Sequence, residues 1–236
     1  MATIGVLGVT IPGALDCISK INQLKGHQFP KGHHPNIIYY QPDFQPMEEL
    51  LRKELWSEVL DSLEHSMRKL TDMKVDFVII PANTVHKVVR DLQKRTATVI
   101  LNMLELVAAE CKKRNYRKVG VMGTTWTMSG HVFQEELAAQ GIEEVIPQKG
   151  DQDRIQLALF SELIPHGTAK AETVARLERI CDSLKEQGCE AVILGCTELP
   201  LVLNDRNCSL PVLDNTTILV EAALKRAAQT AKISKA

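Results

Sequence analysis

Short runs of β-branched residues alternate along the chain with longer amphipathic stretches, the pattern of a mostly parallel sheet carrying helices on both faces. It predicts strands at Thr3–Val9, Asn36–Tyr40, Asp76–Ile80, Lys118–Met122, Glu143–Ile146 and Glu190–Leu194. Helices are predicted at Pro12–Leu24, Met47–Thr71, Asn102–Arg114, Ser129–Gln140, Asp151–Ile164, Lys170–Gln187 and Thr216–Thr230. No stretch rich in Gly, Ser or Pro marks a linker, which predicts bodies that share a tight interface.

The two halves repeat one another. Ile4-Gly-Val-Leu-Gly-Val-Thr10 resembles Val119-Gly-Val-Met-Gly-Thr-Thr125, an offset of 115 (4 to 119). Phe77-Val-Ile-Ile-Pro-Ala-Asn83 resembles Ala191-Val-Ile-Leu-Gly-Cys-Thr197, an offset of 114 (77 to 191). Two matches at nearly one spacing point to an α/β chain of two pseudo-symmetric, Rossmann-like three-layer subdomains. One is expected over residues 1–98 with a C-terminal helix in 214–236, the other over 99–213. Ligands of open parallel sheets bind beyond the carboxyl ends of the strands. Pro81-Ala-Asn-Thr84 and Gly195-Cys-Thr-Glu198 both sit at such ends, so residues 82 and 196 are expected to flank one substrate across a cleft between the halves.

Composition narrows what that substrate is. The net charge is −1 with no basic stripe, and only 4% of residues are aromatic, which argues against nucleic acid and base stacking. No apolar run reaches bilayer length, and the apolar N-terminus lacks a basic leader, so neither a membrane span nor a secretory signal is expected. The six cysteines are widely spaced without CxxC pairing, which fits a reduced, cytoplasmic setting and not a disulfide framework or zinc site. Gly5-Val-Leu-Gly8 is not a dinucleotide fingerprint, no phosphate-cradling Gly-Lys loop is present, and His33-His34 lacks metal-ligand spacing. The expected ligand is a small molecule.

Cys196 is the strongest candidate for chemistry. A cysteine closing a core strand is ordinarily an inert small hydrophobe, but this one lies in a strand-to-helix turn whose free N–H groups can hold a thiolate or a carboxylate. In the partner turn Pro81-Ala-Asn-Thr-Val-His86, Asn83 and Thr84 can donate to a carboxylate, and His86 is expected to orient the turn. Gly123-Thr-Thr-Trp-Thr127 with Ser129 is a hydroxyl-rich turn suited to anion binding or to capping the next helix.

On these motifs the chain resembles the aspartate/glutamate racemase superfamily, over essentially its whole length. Ile4-Gly-Val-Leu-Gly8 is similar to the family's opening strand, Pro81-Ala-Asn-Thr-Val-His86 to its first cysteine motif, and Leu194-Gly-Cys-Thr-Glu-Leu-Pro200 to its second. Gly123-Thr-Thr-Trp-Thr127 and Pro211-Val-Leu-Asp-Asn-Thr216 also fall where family motifs are expected, and Glu198 resembles the aspartate-racemase branch. The resemblance implies a homodimer acting on aspartate, glutamate or a related dicarboxylic amino acid without PLP. Two cysteines would exchange acid and base roles on opposite faces of Cα, with the thiol drawn from its usual range toward neutrality. It implies substrate contacts from Thr10, Gln41, Asn83, Thr84, Thr124, Thr125, Thr127, Thr197 and Glu198. The basic residue for the side-chain carboxylate lacks a clear counterpart, leaving His166 or Lys170 in that role.

One departure bears on mechanism. Ala82 occupies the place of the first cysteine, and alanine transfers no proton; Phe133 stands where the family often has Tyr. Three readings of Ala82 stand: an inactive Cys→Ala variant of a two-cysteine racemase, a one-thiol isomerase or decarboxylase, or a non-catalytic amino-acid-binding module.

Overall fold

The computed structural model describes residues 2–233. Cα packing groups them into two compact units, residues 2–103 with 216–233 and residues 104–215.

The first unit is built on β1 (Thr3–Leu7), β2 (Asn36–Tyr40), β3 (Phe77–Ile79) and β4 (Val99–Ile100). All are parallel, in the order β2-β1-β3-β4, with Gly5 opposite both Ile38 and Val78. Its helices are α1 (Ile11–Leu24), α2 (Phe44–Arg52), α3 (Trp56–Asp72), α4 (Val89–Lys94) and α11 (Asn215–Ile233), whose first residue belongs to the other unit. α5 (Met103–Lys113) begins at the boundary.

The second unit repeats the plan with β5 (Lys118–Gly123), β6 (Glu143–Val145), β7 (Ala191–Gly195) and β8 (Val212–Asp214), again all parallel and ordered β6-β5-β7-β8. Its helices are α6 (Thr125–Met128), α7 (Gln134–Ala139), α8 (Lys149–Ala158), α9 (Ile164–His166) and α10 (Ala171–Glu186).

The repeat extends to packing. In each unit the first strand carries a glycine beneath a leucine of the helix that leads into the third strand. A Cβ on Gly5 would lie 3.3 Å from Leu70 Cδ1 of α3, and one on Gly120 would lie 2.7 Å from Leu184 Cδ1 of α10. The absent side chain lets each helix settle closely on its sheet, burying Leu70 and Leu184 fully.

Several elements differ from their sequence prediction. β4 and β8, two and three residues long, were not expected, since a run that short has no readable period. The predicted helix Met47–Thr71 is two helices, parted where Glu54 takes a left-handed backbone (φ 53°). Ser129–Gln140 is helical only over α7; the chain turns ahead of it, with His131 in a left-handed backbone (φ 47°), and the unpredicted α6 lies before Ser129. Asp151–Ile164 contains a π-turn over Leu159–Leu163 ahead of Pro165, whose missing N–H favours such a bulge. β1 stops at Leu7, because Thr10 caps α1 by accepting from the Gly13 N–H at 3.3 Å. α4 and the 3₁₀ turn Thr84–Val88 before it were not predicted. His33 and His34 are exposed.

Candidate functional site

In the second unit the candidate residues follow the carboxyl ends of adjacent strands. β5 and β7 pair through Gly123 opposite Gly195, so the Gly-Thr-Thr turn and the Gly-Cys-Thr-Glu turn lie side by side. This approach requires both glycines. A Cβ on Gly123 would sit 2.7 Å from the Gly195 carbonyl oxygen, and one on Gly195 would meet Thr127 Cγ2 at 3.0 Å and the Met122 carbonyl at 3.1 Å. Phe133, fully buried, lies with its ring edge against the same glycine.

Cys196 is buried, 8% exposed. Its Sγ–H donates to Glu198 Oε2 at 3.0 Å, and the Thr197 hydroxyl donates to the same oxygen at 2.8 Å. Glu198 is itself buried, and its Oε1 has no hydrogen-bond partner among the described residues. Burial, then the Glu198 charge and its hydrogen bond, push the Cys196 thiol well above the ordinary cysteine range, against smaller opposing pulls from the Glu198 and Thr197 N–H groups. The expected drift toward neutrality is thus reversed, and Cys196 rests as a thiol. Replacing Glu198 with Gln removes the charge, so the pH profile of iodoacetamide alkylation at Cys196 is expected to move to lower pH; an unmoved profile would remove Glu198 as a cause.

Thr124 caps α6, accepting from the Thr127 N–H at 3.3 Å, and its hydroxyl meets that of Thr127 at 3.2 Å. Two residues missed in the sequence hold this turn. Gln156 Oε1 accepts from the Thr125 N–H at 2.9 Å; Gln152 Oε1 accepts from the Ser129 hydroxyl at 2.8 Å while its amide donates to the Pro147 carbonyl at 2.7 Å. Their spacing of four on α8 puts both on one helix face, which was the available signal. His166 is exposed at the end of α9, and its side chain makes no hydrogen bond among the described residues; Lys170 is exposed as well, its backbone N–H donating to Glu162 Oε2 at 2.7 Å.

In the first unit the corresponding edge carries Thr10 after β1, Gln41 after β2 and Ala82 after β3. Gln41 is engaged with its own loop: its amide donates to the Val9 and Pro42 carbonyls at 3.1 and 2.9 Å, and its carbonyl accepts from the Tyr39 hydroxyl at 2.6 Å. Ala82 and Thr84 are half-buried and Asn83 is buried. The turn is closed by the Ala82 N–H donating to the Ile80 carbonyl at 2.9 Å.

His86 orients this turn, as the sequence suggested. The Met103 N–H donates to its Nδ1 at 3.3 Å, which leaves Nε2 to carry the proton and donate to the Ile80 carbonyl at 3.0 Å. His86→Ala would orphan the Met103 N–H, while the Ile80 carbonyl keeps the Ala82 N–H, and is expected to cost about 1–3 kcal/mol. A urea unfolding midpoint equal to that of the unaltered chain would contradict this.

Residues 4–223 match the family described as Asp/Glu/hydantoin racemase. The broad-specificity amino-acid racemase RacX of Bacillus subtilis is 24% identical over 66% of this chain and 66% of its own length. A Yersinia pestis protein solved as a candidate Asp/Glu racemase superimposes with a TM-score of 0.87 at 28% identity, over 96% of this chain and 99% of that one. An aspartate racemase homologue from Pyrococcus horikoshii gives 0.83 at 28% identity, over 97% and 100%. With a family match that runs from β1 into α11, the chain belongs to the Asp/Glu/hydantoin racemase family.

Proposed function

We propose that this chain acts on the Cα–H bond of a dicarboxylic amino acid, aspartate and/or glutamate, without PLP, with Cys196 as its proton-transfer group. The observation that carries the reading is a single buried thiol at the carboxyl end of a central strand, hydrogen-bonded to a buried carboxylate and bordered by a hydroxyl-rich turn. The reading takes the chain to act as a homodimer, with residues 82 and 196 as the pair the sequence repeat assigns to opposite faces of Cα. Thr10, Asn83, Thr84, Thr124, Thr125, Thr127 and Thr197 would supply donors for the substrate carboxylates and the developing charge.

In a two-base racemase one thiolate takes the Cα proton from one face while a thiol delivers another to the opposite face. Cys196 serves its own face here, its thiol held by the hydrogen bond to Glu198 Oε2. Ala82 leaves the opposite face without an acid, and racemisation is thereby impaired. The resting thiol form also favours a second reading, a one-cysteine isomerase or decarboxylase in which Cys196 delivers a proton to one face only. Decarboxylation of a malonate-type acid would distinguish that reading from a racemase.

The raised Cys196 pKa gives the reaction a pH signature. Abstraction needs the thiolate, whose fraction grows about tenfold per pH unit below the pKa. Deuterium exchange at Cα is therefore expected to climb with pH through the neutral to mildly alkaline range. A flat profile there would remove the Cys196 thiolate as the base.

A further inference from the structure

In the second unit α8 and α10 pack side by side, and the cleft between them, about 320 Å³ in volume, is lined by three arginines. Arg154 comes from α8, and Arg176 and Arg179 come from α10; all three are exposed. Arg176 and Arg179 are three apart on one helix and so share a face. Neither makes a hydrogen bond or ion pair among the described residues, and Arg176 acts on Glu162 only through space. The acids of the cleft are already engaged. Asp151 accepts from Arg154 at 2.6 Å and from Gln148 at 3.1 Å, while Glu162 accepts from the Lys170 N–H at 2.7 Å and the Thr173 hydroxyl at 2.8 Å. A smaller adjoining cavity shares Arg154, Arg176 and the buried Ile180, and adds Leu157, which is 62% exposed. At helical spacing, Asp151, Arg154 and Leu157 lie on the face of α8 turned away from Gln152 and Gln156, which hold the Gly-Thr-Thr turn. The cleft and the candidate site therefore lie on opposite sides of α8.

We propose that the α8–α10 cleft is a second binding site, for a small phosphate-bearing molecule. A guanidinium fork pairs with an oxyanion through two parallel N–H···O bonds. Three forks around one cleft suit an anion with several oxygens on a single atom, as a phosphate has, over a carboxylate with two. Like charges three apart on a helix repel, and a phosphate held between Arg176 and Arg179 turns that repulsion into attraction. The volume falls within the usual range of small-molecule sites, and Leu157 and Ile180 offer an apolar wall to the organic part of the ligand.

The test titrates pyrophosphate into the full chain by calorimetry at constant ionic strength, so that general screening is held fixed. Saturable binding is expected, weakened by about tenfold or more in Arg176→Gln/Arg179→Gln, a change confined to exposed side chains. Arg176→Lys/Arg179→Lys keeps the charge and loses the forks, and its affinity is expected to fall between the two. In the unaltered chain pyrophosphate is also expected to shield Arg176 and Arg179 from phenylglyoxal. Because a modified arginine resists trypsin, that shielding is read as release of peptides 171–176 and 177–179. Four results would overturn the proposal: no saturable binding, no loss in the Gln pair, no loss in the Lys pair, or equal affinity for citrate. Labelling of both arginines undiminished by pyrophosphate would do the same.

Discussion

Ala82→Cys is expected to raise the interconversion of the enantiomers of aspartate or glutamate by about 10²–10⁴-fold, the usual worth of one positioned acid–base group. Position 82 follows β3 as Cys196 follows β7, and the two strands hold the same place in sheets of the same order. The turn that would carry the new thiol is already fixed by the Ala82–Ile80 bond and by His86. Ala82 is half-buried, so a side chain larger by one sulfur has a path outward and little packing to displace. Racemisation measured by chiral separation checks this. A gain below about tenfold would favour the one-cysteine or binding readings.

The double variant Ala82→Cys/Cys196→Ala carries the second large effect. It moves the only thiol of the proposed pair to the other half. Interconversion is then expected to fall back by about 10²–10⁴-fold relative to the single Ala82→Cys variant. Cα exchange with solvent is expected to persist, but from the enantiomer opposite to the one the unaltered chain exchanges. Exchange from the same enantiomer in both proteins would show that the two positions do not address opposite faces of one substrate.

Much of this was legible in the sequence because it rests on local rules. The central strands β1, β3, β5 and β7 are continuous apolar runs, as strands buried on both faces must be. The repeat was readable at Gly5 and Gly120, Gly8 and Gly123, and residues 82 and 196, and the structure extends it to Leu70 and Leu184. What escaped depends on contacts between elements. β4 exists because Phe77 and Val78 offer partners to Val99 and Ile100, not because of any period of its own. Glu54 parts two helices and His131 shapes the turn before α7, each through a left-handed backbone at a residue that announces no turn. Gln152 and Gln156 read as solvent-facing positions of α8, and only the neighbouring turn gives them their role. The direction of the Cys196 pKa turns on where the Glu198 carboxylate points, which residue spacing does not specify.

The most direct test of the central claim, that Cys196 carries proton transfer on one face of Cα, is enantiomer-resolved deuterium exchange. Each enantiomer of aspartate and glutamate is incubated separately in deuterated water with the unaltered chain and with Cys196→Ala. The account predicts exchange from one enantiomer alone, little accumulation of the other, and loss of that exchange in Cys196→Ala. Exchange from both enantiomers at equal rates, undiminished in Cys196→Ala, would contradict it.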